Sequence, residues 1–490
     1  FPTRRSSDLI YLIEIGSTLH RVLPIFKRRK FMGMIIKNGT ILSANDEFIG
    51  DILIEGDKII QIGVNLCEDG HEIIDATGKY VFPGGVDEHV HMGSFATLSF
   101  ETSHAALVGG TTTIVDFAPQ IKGKGIIESV KIQDEEFAKD KSSSDYSFHG
   151  MVMDTSESLL DEIPKMVDSG ITTLKFFMAY KYTPFMVPDD LIFKGMQLAK
   201  KYGITIMVHA ENGDMVYTLQ NQLIAEGKTE PVYHAYSRPP IVEDEATQRA
   251  IYLAELAGCP LFVVHVSSKG AMEHIKAAHE RGLPIYGETC THYLTLNQSF
   301  LEKPNFEGAK YVCSPALRTD EHLEAMWDGI KNNYLLSVGS DHAAVSGGFE
   351  KKKDGLNNFA KIPNGCPSVQ DRLAMIWTQG VEKGKISRQR FVEIFSTTPA
   401  KIVGLYPQKG VILPGSDADI VIYDPSYEGI ITHADSYEGT DYAAFEGFER
   451  KGIADKVFLR GKIVAERGKF VGEKGKGQYI KPKAYALCYD

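Results

Sequence analysis

The sequence predicts an α/β protein, a (β/α)8 TIM barrel carrying a small β-sandwich domain built from both chain ends. Three observations lead there. Alternating apolar and polar residues mark short strands near both ends. Between them, strand and helix patterns succeed one another eight times. Several of those strands end in a metal-ligating residue type, at the end where barrels keep their chemistry.

The 490 residues exceed one ordinary core and suggest a large domain with a smaller one beside it. A formal net charge of −11 argues against a nucleic-acid or anionic-membrane surface. Six cysteines form no CxxC pair, which points to a reduced, cytoplasmic interior. No apolar run is long enough to span a bilayer.

Residues 1–31 are expected to be a non-native leader. "FPTRRSSDL" can be read as the translation of a sequencing adapter, and the basic "FKRRK" follows an apolar run where a signal peptide would precede it. Patterned sequence begins at Met32 or Met34. Residues 32–82 read as the first part of the sandwich, and within them "MIIKNGTILSANDEFIGDILIEGDKIIQIG" alternates apolar and polar residues between Gly, Asn and Asp turns and reads as antiparallel strands. Residues 402–470, with "DADIVIYDP" and "VFLRGKIVAERGKF", read as its second part. The Gly- and Lys-rich stretch from Gly472 to Gly477, within a 471–490 tail, reads as mobile.

Residues 83–401 hold the barrel. Its strands are expected in "VFPGGVDEHVHM", "TTTIVDFA", "YSFHGMVM", "TTLKFFMAY", "ITIMVHAE", "LFVVHVSS", "PIYGETCTHYL" and "LLSVGSDHA". Helical patterns lie between, as in "EDEATQRAIYLAELAG", with Ala246, Ala250, Leu253 and Ala257 on one face.

The first barrel strand ends in His89-Val90-His91, and alternation puts both imidazoles on one side. The fifth ends at His209, the sixth at His265 and the eighth at Asp341. The fourth carries Lys175 between Leu174 and Phe176, where a bare ammonium is costly to bury. Each feature alone has a plain structural explanation. A strand-end histidine is usually a hydrogen-bonded core residue, and a buried lysine usually snorkels. Together and in order, they read as a metal centre. Burial lowers a lysine's pKa, and the neutral amine can react with CO2 to give a carbamate. That anion could bridge two cations and, with Asp341 and a hydroxide, leave the centre close to neutral, whereas an unmodified ammonium would repel them.

"PGGVDEHVH", "GGTTTIVDF", "LKFFMAYK", "VHAEN", "VHVSSKGA", "YGETCTHYL", "CSPALR", "GSDHA" and "IPNGCPSVQDR" resemble, in order, the motifs of the cyclic amidohydrolases, most closely the dihydropyrimidinase/D-hydantoinase family. The resemblance covers nearly the whole chain from Met32. It implies two divalent metal ions, usually zinc. His89, His91 and Asp341 would bind one, His209 and His265 the other, and carboxylated Lys175 (N6-carboxylysine) would bridge them. It also implies that Tyr180 donates to the substrate carbonyl as it becomes an oxyanion. The backbone at Ser314 and Asn364 would clamp the ring, and Asp341 would relay a proton from water to the leaving nitrogen. As bare residues, Tyr180 could equally be a core aromatic, and Ser314 and Asn364 turn residues.

The implied activity is opening of dihydropyrimidine or hydantoin rings to N-carbamoyl amino acids by a metal-activated hydroxide, in a homotetramer. Allantoinase is the alternative of the same class. Dihydroorotase usually has an arginine where this chain has Gly93. Non-enzymatic scaffold relatives tend to lose metal ligands, and this chain keeps them. The loop after His91, "MGSFATLSFETSHAAL", is shorter than the family's usual one, which predicts a more open pocket mouth around Phe95 and Leu98.

Overall fold

The computed structural model describes residues 33–94 and 97–484. The expected leader lies outside the described residues, as do Phe95 and Ala96 of the loop after His91.

Near the N-terminus, β1 (Met34–Leu42) pairs antiparallel with β2 (Glu47–Glu55), and β2 with β3 (Lys58–Gly63). β4 (Glu72–Asp75) and β5 (Tyr80–Pro83) then run parallel to β1. The stretch Met34–Gly63, expected as antiparallel strands, pairs that way, and the parallel pairing belongs to the two short strands that follow it. Alternation reports which face a side chain takes, not strand direction, and the β2–β3 hairpin brings the chain back alongside β1 in the same sense.

Eight parallel strands follow, each hydrogen-bonded to the next in chain order. They are β6 (Gly85–Val90), β7 (Thr111–Pro119), β8 (Asp145–Met151), β9 (Thr173–Phe177), β10 (Thr205–His209), β11 (Leu261–Val263), β12 (Ile285–Cys290) and β13 (Leu335–Gly339). Every residue of β6, β9, β10 and β11 is buried, because helices cover such a sheet outside and side chains fill it inside. The ring is nearly closed by one bridge between Val90 and His342, with the His91 amide donating to the His342 carbonyl at 2.7 Å. "VFPGGVDEHVHM", expected as one strand, is split between β5 and β6. The split falls at Gly84, where a Cβ would lie 2.3 Å from Thr112 Oγ1.

The helix between β10 and β11 spans Pro240–Ala257 and stops at Gly258, which takes φ +62°. Its buried side includes Val242, Ala246, Thr247, Ala250, Ile251 and Ala254. Leu253 and Ala257, expected on that face, are half-buried at its edge. Asn212 and Ser268 cap the helices that follow β10 and β11, accepting from the Met215 and Ala271 amides. The chain therefore turns sharply just beyond His209 and His265.

β14 (Ile420–Ile430), β15 (Glu449–Leu459), β16 (Lys462–Glu466) and β17 (Lys469–Phe470) complete the first sheet. β14 lies antiparallel to β5, so the two chain ends make one nine-stranded mixed sheet. Its apolar cluster includes Ile36, Ile52, Ile54, Ile420, Ile422 and Phe458. Lys409 ties it to the barrel, its ammonium 2.6 Å from Asp145 of β8 and 2.7 Å from Asp419 beside β14.

The stretch from Gly472 to Gly477, expected to be mobile, is pinned along the start of β8. Gly475 donates to Ser143 Oγ at 3.2 Å, Gly477 to the Ser142 carbonyl at 2.8 Å, and Tyr146 to the Gln478 carbonyl at 3.0 Å. A Cβ on Gly477 would sit 1.9 Å from the Ser144 carbonyl, so glycine here permits close approach rather than freedom. Among the described residues, no helix is long and apolar enough to cross a membrane.

Candidate metal centre and substrate cavity

The residues singled out at strand ends converge. His89 and His91 leave β6 on one side with ring centroids 5.4 Å apart, and each has Nε2 3.3 Å from Asp341 Oδ1. His265 lies 5.3 Å from His89 and 4.5 Å from His209, centroid to centroid. Lys175 is buried, with Nζ 3.3 Å from His89 Nε2 and 4.1 Å from the centre of the Phe117 ring. Tyr180, His265 and Asp341 all take positive φ, at +66°, +42° and +45°. Non-glycine residues adopt this strained backbone mostly where the surroundings impose it.

The electrostatics suit a cation site. Burial lowers Lys175 to about 8, against the opposing pull of Asp341 and Glu288, so a usable fraction of neutral amine exists near pH 7. Burial and the neighbouring Lys175 charge hold His89 well below the usual imidazole value, which keeps a ring lone pair free. Burial opposes the charge on Asp341, but the hydrogen bond and charge of His91 prevail and hold its carboxyl below the ordinary value.

A second ring of carboxylates orients the imidazoles. Glu288 Oε2 lies 2.8 Å from His89 Nδ1, which turns Nε2 toward the centre. Glu211 Oε2 lies 2.7 Å from His209 Nε2 and accepts from Arg238 at 2.6 Å. Burial works against the Glu211 charge, and Arg238 overcomes it and holds the carboxyl far below its usual value. Sequence reasoning assigned no role to Glu211, Arg238 or Glu288. A signal was present: "VHAEN" and "YGETC" each place a carboxylate at a buried strand end, where an unpaired charge is costly.

The donor set suits a metal ion. His89, His91 and Asp341 offer three ligand atoms within 4.8 Å of one another. Among the described residues, no third His, Cys, Asp or Glu donor comes within that range of His209 and His265 together.

Beside these residues opens a cavity of about 270 Å³. Tyr180, Ser314 and Asn364 all line it, together with Thr97, Phe177 and Phe185. Burial pushes the Tyr180 phenol up to about 12, so it stays a donor at neutral pH. Asn364 stands exposed at the mouth.

Residues 80–464 match the model of the amidohydrolase family. The chain belongs to that family. Within it, this amidohydrolase is 45% identical over 462 residues to a D-hydantoinase from Geobacillus stearothermophilus, an alignment covering 93% of this chain and 97% of the relative. It is equally identical over 461 residues to a D-hydantoinase from Ralstonia pickettii, covering 93% and 100%. The crystal structure of a dihydropyrimidinase from Brevibacillus agri NCHU1002 superposes with a TM-score of 0.90 at 44% identity, covering 93% and 100%. An L-hydantoinase from Arthrobacter aurescens reaches 0.84 at 31%, covering 92% and 100%. This amidohydrolase is thus a hydrolytic enzyme of the dihydropyrimidinase/D-hydantoinase group.

Proposed function

We propose that this amidohydrolase opens the rings of hydantoins and dihydropyrimidines at a ring C–N bond, giving N-carbamoyl amino acids. The observation that carries this reading is four imidazoles, Asp341 and a desolvated Lys175 meeting at one end of a cavity whose wall presents Tyr180, Ser314 and Asn364.

His89, His91 and Asp341 would hold one divalent ion, His209 and His265 the other, and carboxylated Lys175 would lie between them. When bound, such ions, most simply zinc, supply Lewis acidity and bring a water's pKa toward about 7. Asp341 accepts the proton of the attacking water and returns it to the leaving ring nitrogen, a task suited to a carboxylate that stays ionised. Tyr180 donates to the carbonyl oxygen as negative charge gathers there. Backbone groups at Ser314 and Asn364 hold the ring in register with Tyr180. Phe177 and Phe185 give the cavity an apolar wall that strengthens these polar contacts.

Cytoplasmic placement belongs to the same proposal and agrees with five free cysteines among the described residues. So does assembly as a homotetramer.

Ring opening should be measured on the full chain with dihydrouracil, hydantoin, 5-phenylhydantoin and allantoin, alongside metal content. Dihydrouracil and the hydantoins should exceed allantoin in kcat/KM by about tenfold or more, equivalent to about 1.4 kcal/mol in the barrier. Preference for allantoin would make the protein an allantoinase. Two bound ions with no turnover of any of these rings would overturn the substrate class proposed here.

A further inference from the structure

One buried cation lies behind the wall of the substrate cavity without a role in the reading above. Lys352 ends the short helix Gly348–Lys352 and is fully buried. Its Nζ donates to the carbonyls of Pro363 and Gly365 at 2.7 Å each and to that of Val312 at 3.3 Å. An ammonium has three protons to donate, and three carbonyls accept them. The carboxylates on adjacent turns are engaged elsewhere, Glu307 by Lys310, Glu350 by Lys353 and Asp354 by Lys351. The titratable groups that face Lys352 are the Cys313 and Cys366 thiols and His234. Backbone dipoles therefore hold this charge.

The three carbonyls belong to two stretches of chain that meet at the cavity. One continues into Cys313 and Ser314, the other runs through Pro363, Asn364 and Gly365, and these residues line the cavity. The Gly365 amide closes the pair by donating to the Val312 carbonyl at 2.9 Å. Among the described residues, the amides of Ser314 and Asn364 have no acceptor, so both remain available to a ligand.

We propose that Lys352 is a positioning residue for ring opening, which fixes the Ser314 and Asn364 segments relative to each other and strengthens the Asn364 amide as a donor to a ring carbonyl of the substrate. The second half rests on the reading of Asn364 as a substrate clamp, whereas the first half does not.

The physical reason lies in the peptide group that joins Pro363 to Asn364. The ammonium draws electron density toward the Pro363 carbonyl oxygen, and the Asn364 N–H of the same peptide becomes more positive. Hydrogen bonds linked in this way strengthen one another, most of all where water is excluded. The contact is made to a part of the ring that does not react, so it holds substrate and transition state alike. Losing it raises KM and leaves kcat nearly unchanged. Burial also lowers Lys352 to about 8, so the charge is present at neutral pH and is lost as the pH rises past that value.

The test compares wild-type and Lys352→Met enzymes, full-length and metal-loaded, with dihydrouracil as substrate. Methionine keeps the length and removes the charge. The variant should raise KM about tenfold or more, change kcat less than about threefold, and keep its metal content. Wild-type KM should rise above about pH 8, and this rise should be absent from the variant. Amide exchange should quicken in the peptides that carry Cys313 and Gly365. Unchanged KM in a folded variant overturns the proposal, as does a fall in kcat and metal content at constant KM, the mark of general damage. If Lys352→Met does not fold, the wild-type profile decides, and a KM that stays flat through pH 8 to 9.5 overturns the proposal. Amide exchange needs no turnover. A wild-type enzyme that opens no ring refutes the substrate reading, and quickened exchange in the variant then still supports the positioning of the two segments, while unchanged exchange overturns it.

Discussion

The two sheets of this amidohydrolase bury very different things. The nine-stranded sheet encloses a cluster of isoleucines, a valine, alanines and Phe458, and its few buried carboxylates lie outside that cluster, Asp51 held by the Asn38 and Leu66 amides and Asp455 by Lys79. The barrel buries Glu88, His89, Lys175, His209, Glu211, His265 and Glu288 near the ends of its strands. Apolar burial stabilises in proportion to area and asks nothing of its neighbours. Each buried charge costs several kcal/mol unless partners compensate it. A fold that concentrates such charges in one region must hold them by contacts that are intolerant of change. Substitutions in the barrel centre should therefore cost function more than stability, and those in the sheet the reverse.

The largest separation is expected at Lys175. Lys175→Ala should bind fewer than two metal ions and lose nearly all activity. Its melting temperature without metal should hold or rise, because an uncompensated buried cation is gone. Metal analysis and calorimetry check this, and two tightly bound ions with normal turnover would end the bridging role.

Tyr180→Phe comes next. Loss of one donor to a developing oxyanion costs about 10²–10³ in kcat. Metal content should not change. Steady-state kinetics with dihydrouracil decide it, and an unaltered kcat would return Tyr180 to a packing role against Phe177 and Phe185.

Glu288→Gln tests the outer carboxylates. Glutamine can still accept from His89 Nδ1, so the fold should persist. Removing the charge behind a ligand imidazole lowers metal affinity by about 10–100-fold. Competition with a chelator measures this, and unchanged affinity would mean that Glu288 fills space only.

These residues also show how far the sequence could be read. All eight barrel strands were visible, because a strand buried on both faces is a continuous apolar run, and a histidine, lysine or aspartate breaking such a run stands out. The convergence of His89, His91, Lys175, His209, His265 and Asp341 followed from their placement at strand ends. Glu211, Arg238 and Glu288 were less legible. Glu288 and His89 are 199 residues apart, and no local pattern announces a hydrogen bond between them. The parallel pairing of β4 and β5 was hidden for the same reason, since direction belongs to the pair and not to the strand. The Gly472–Gly477 stretch misled because glycine that permits backbone contact and glycine that permits motion look alike in sequence.

The smallest effect on activity is expected from the sheet, at Ile52→Ala. Ile52 is buried in β2, opposite Ile36 of β1, within the isoleucine cluster. Truncating it leaves a cavity and should cost about 2–5 kcal/mol of stability, read as a lower denaturation midpoint. The kcat/KM should stay within about twofold of the wild-type value, under 0.5 kcal/mol in the barrier. A route by which the sheet could reach the site does exist. β2 pairs with β1, β1 with β5, and β5 runs through Pro83 and Gly84 into β6, which carries His89. If that route transmits strain, Ile52→Ala would lower kcat/KM about tenfold or more with metal content intact. The sheet would then be a support that sets imidazole position, and the division between the two regions would fail at β5. If activity holds while stability falls, the break between β5 and β6 at Gly84 is also where mechanical coupling ends.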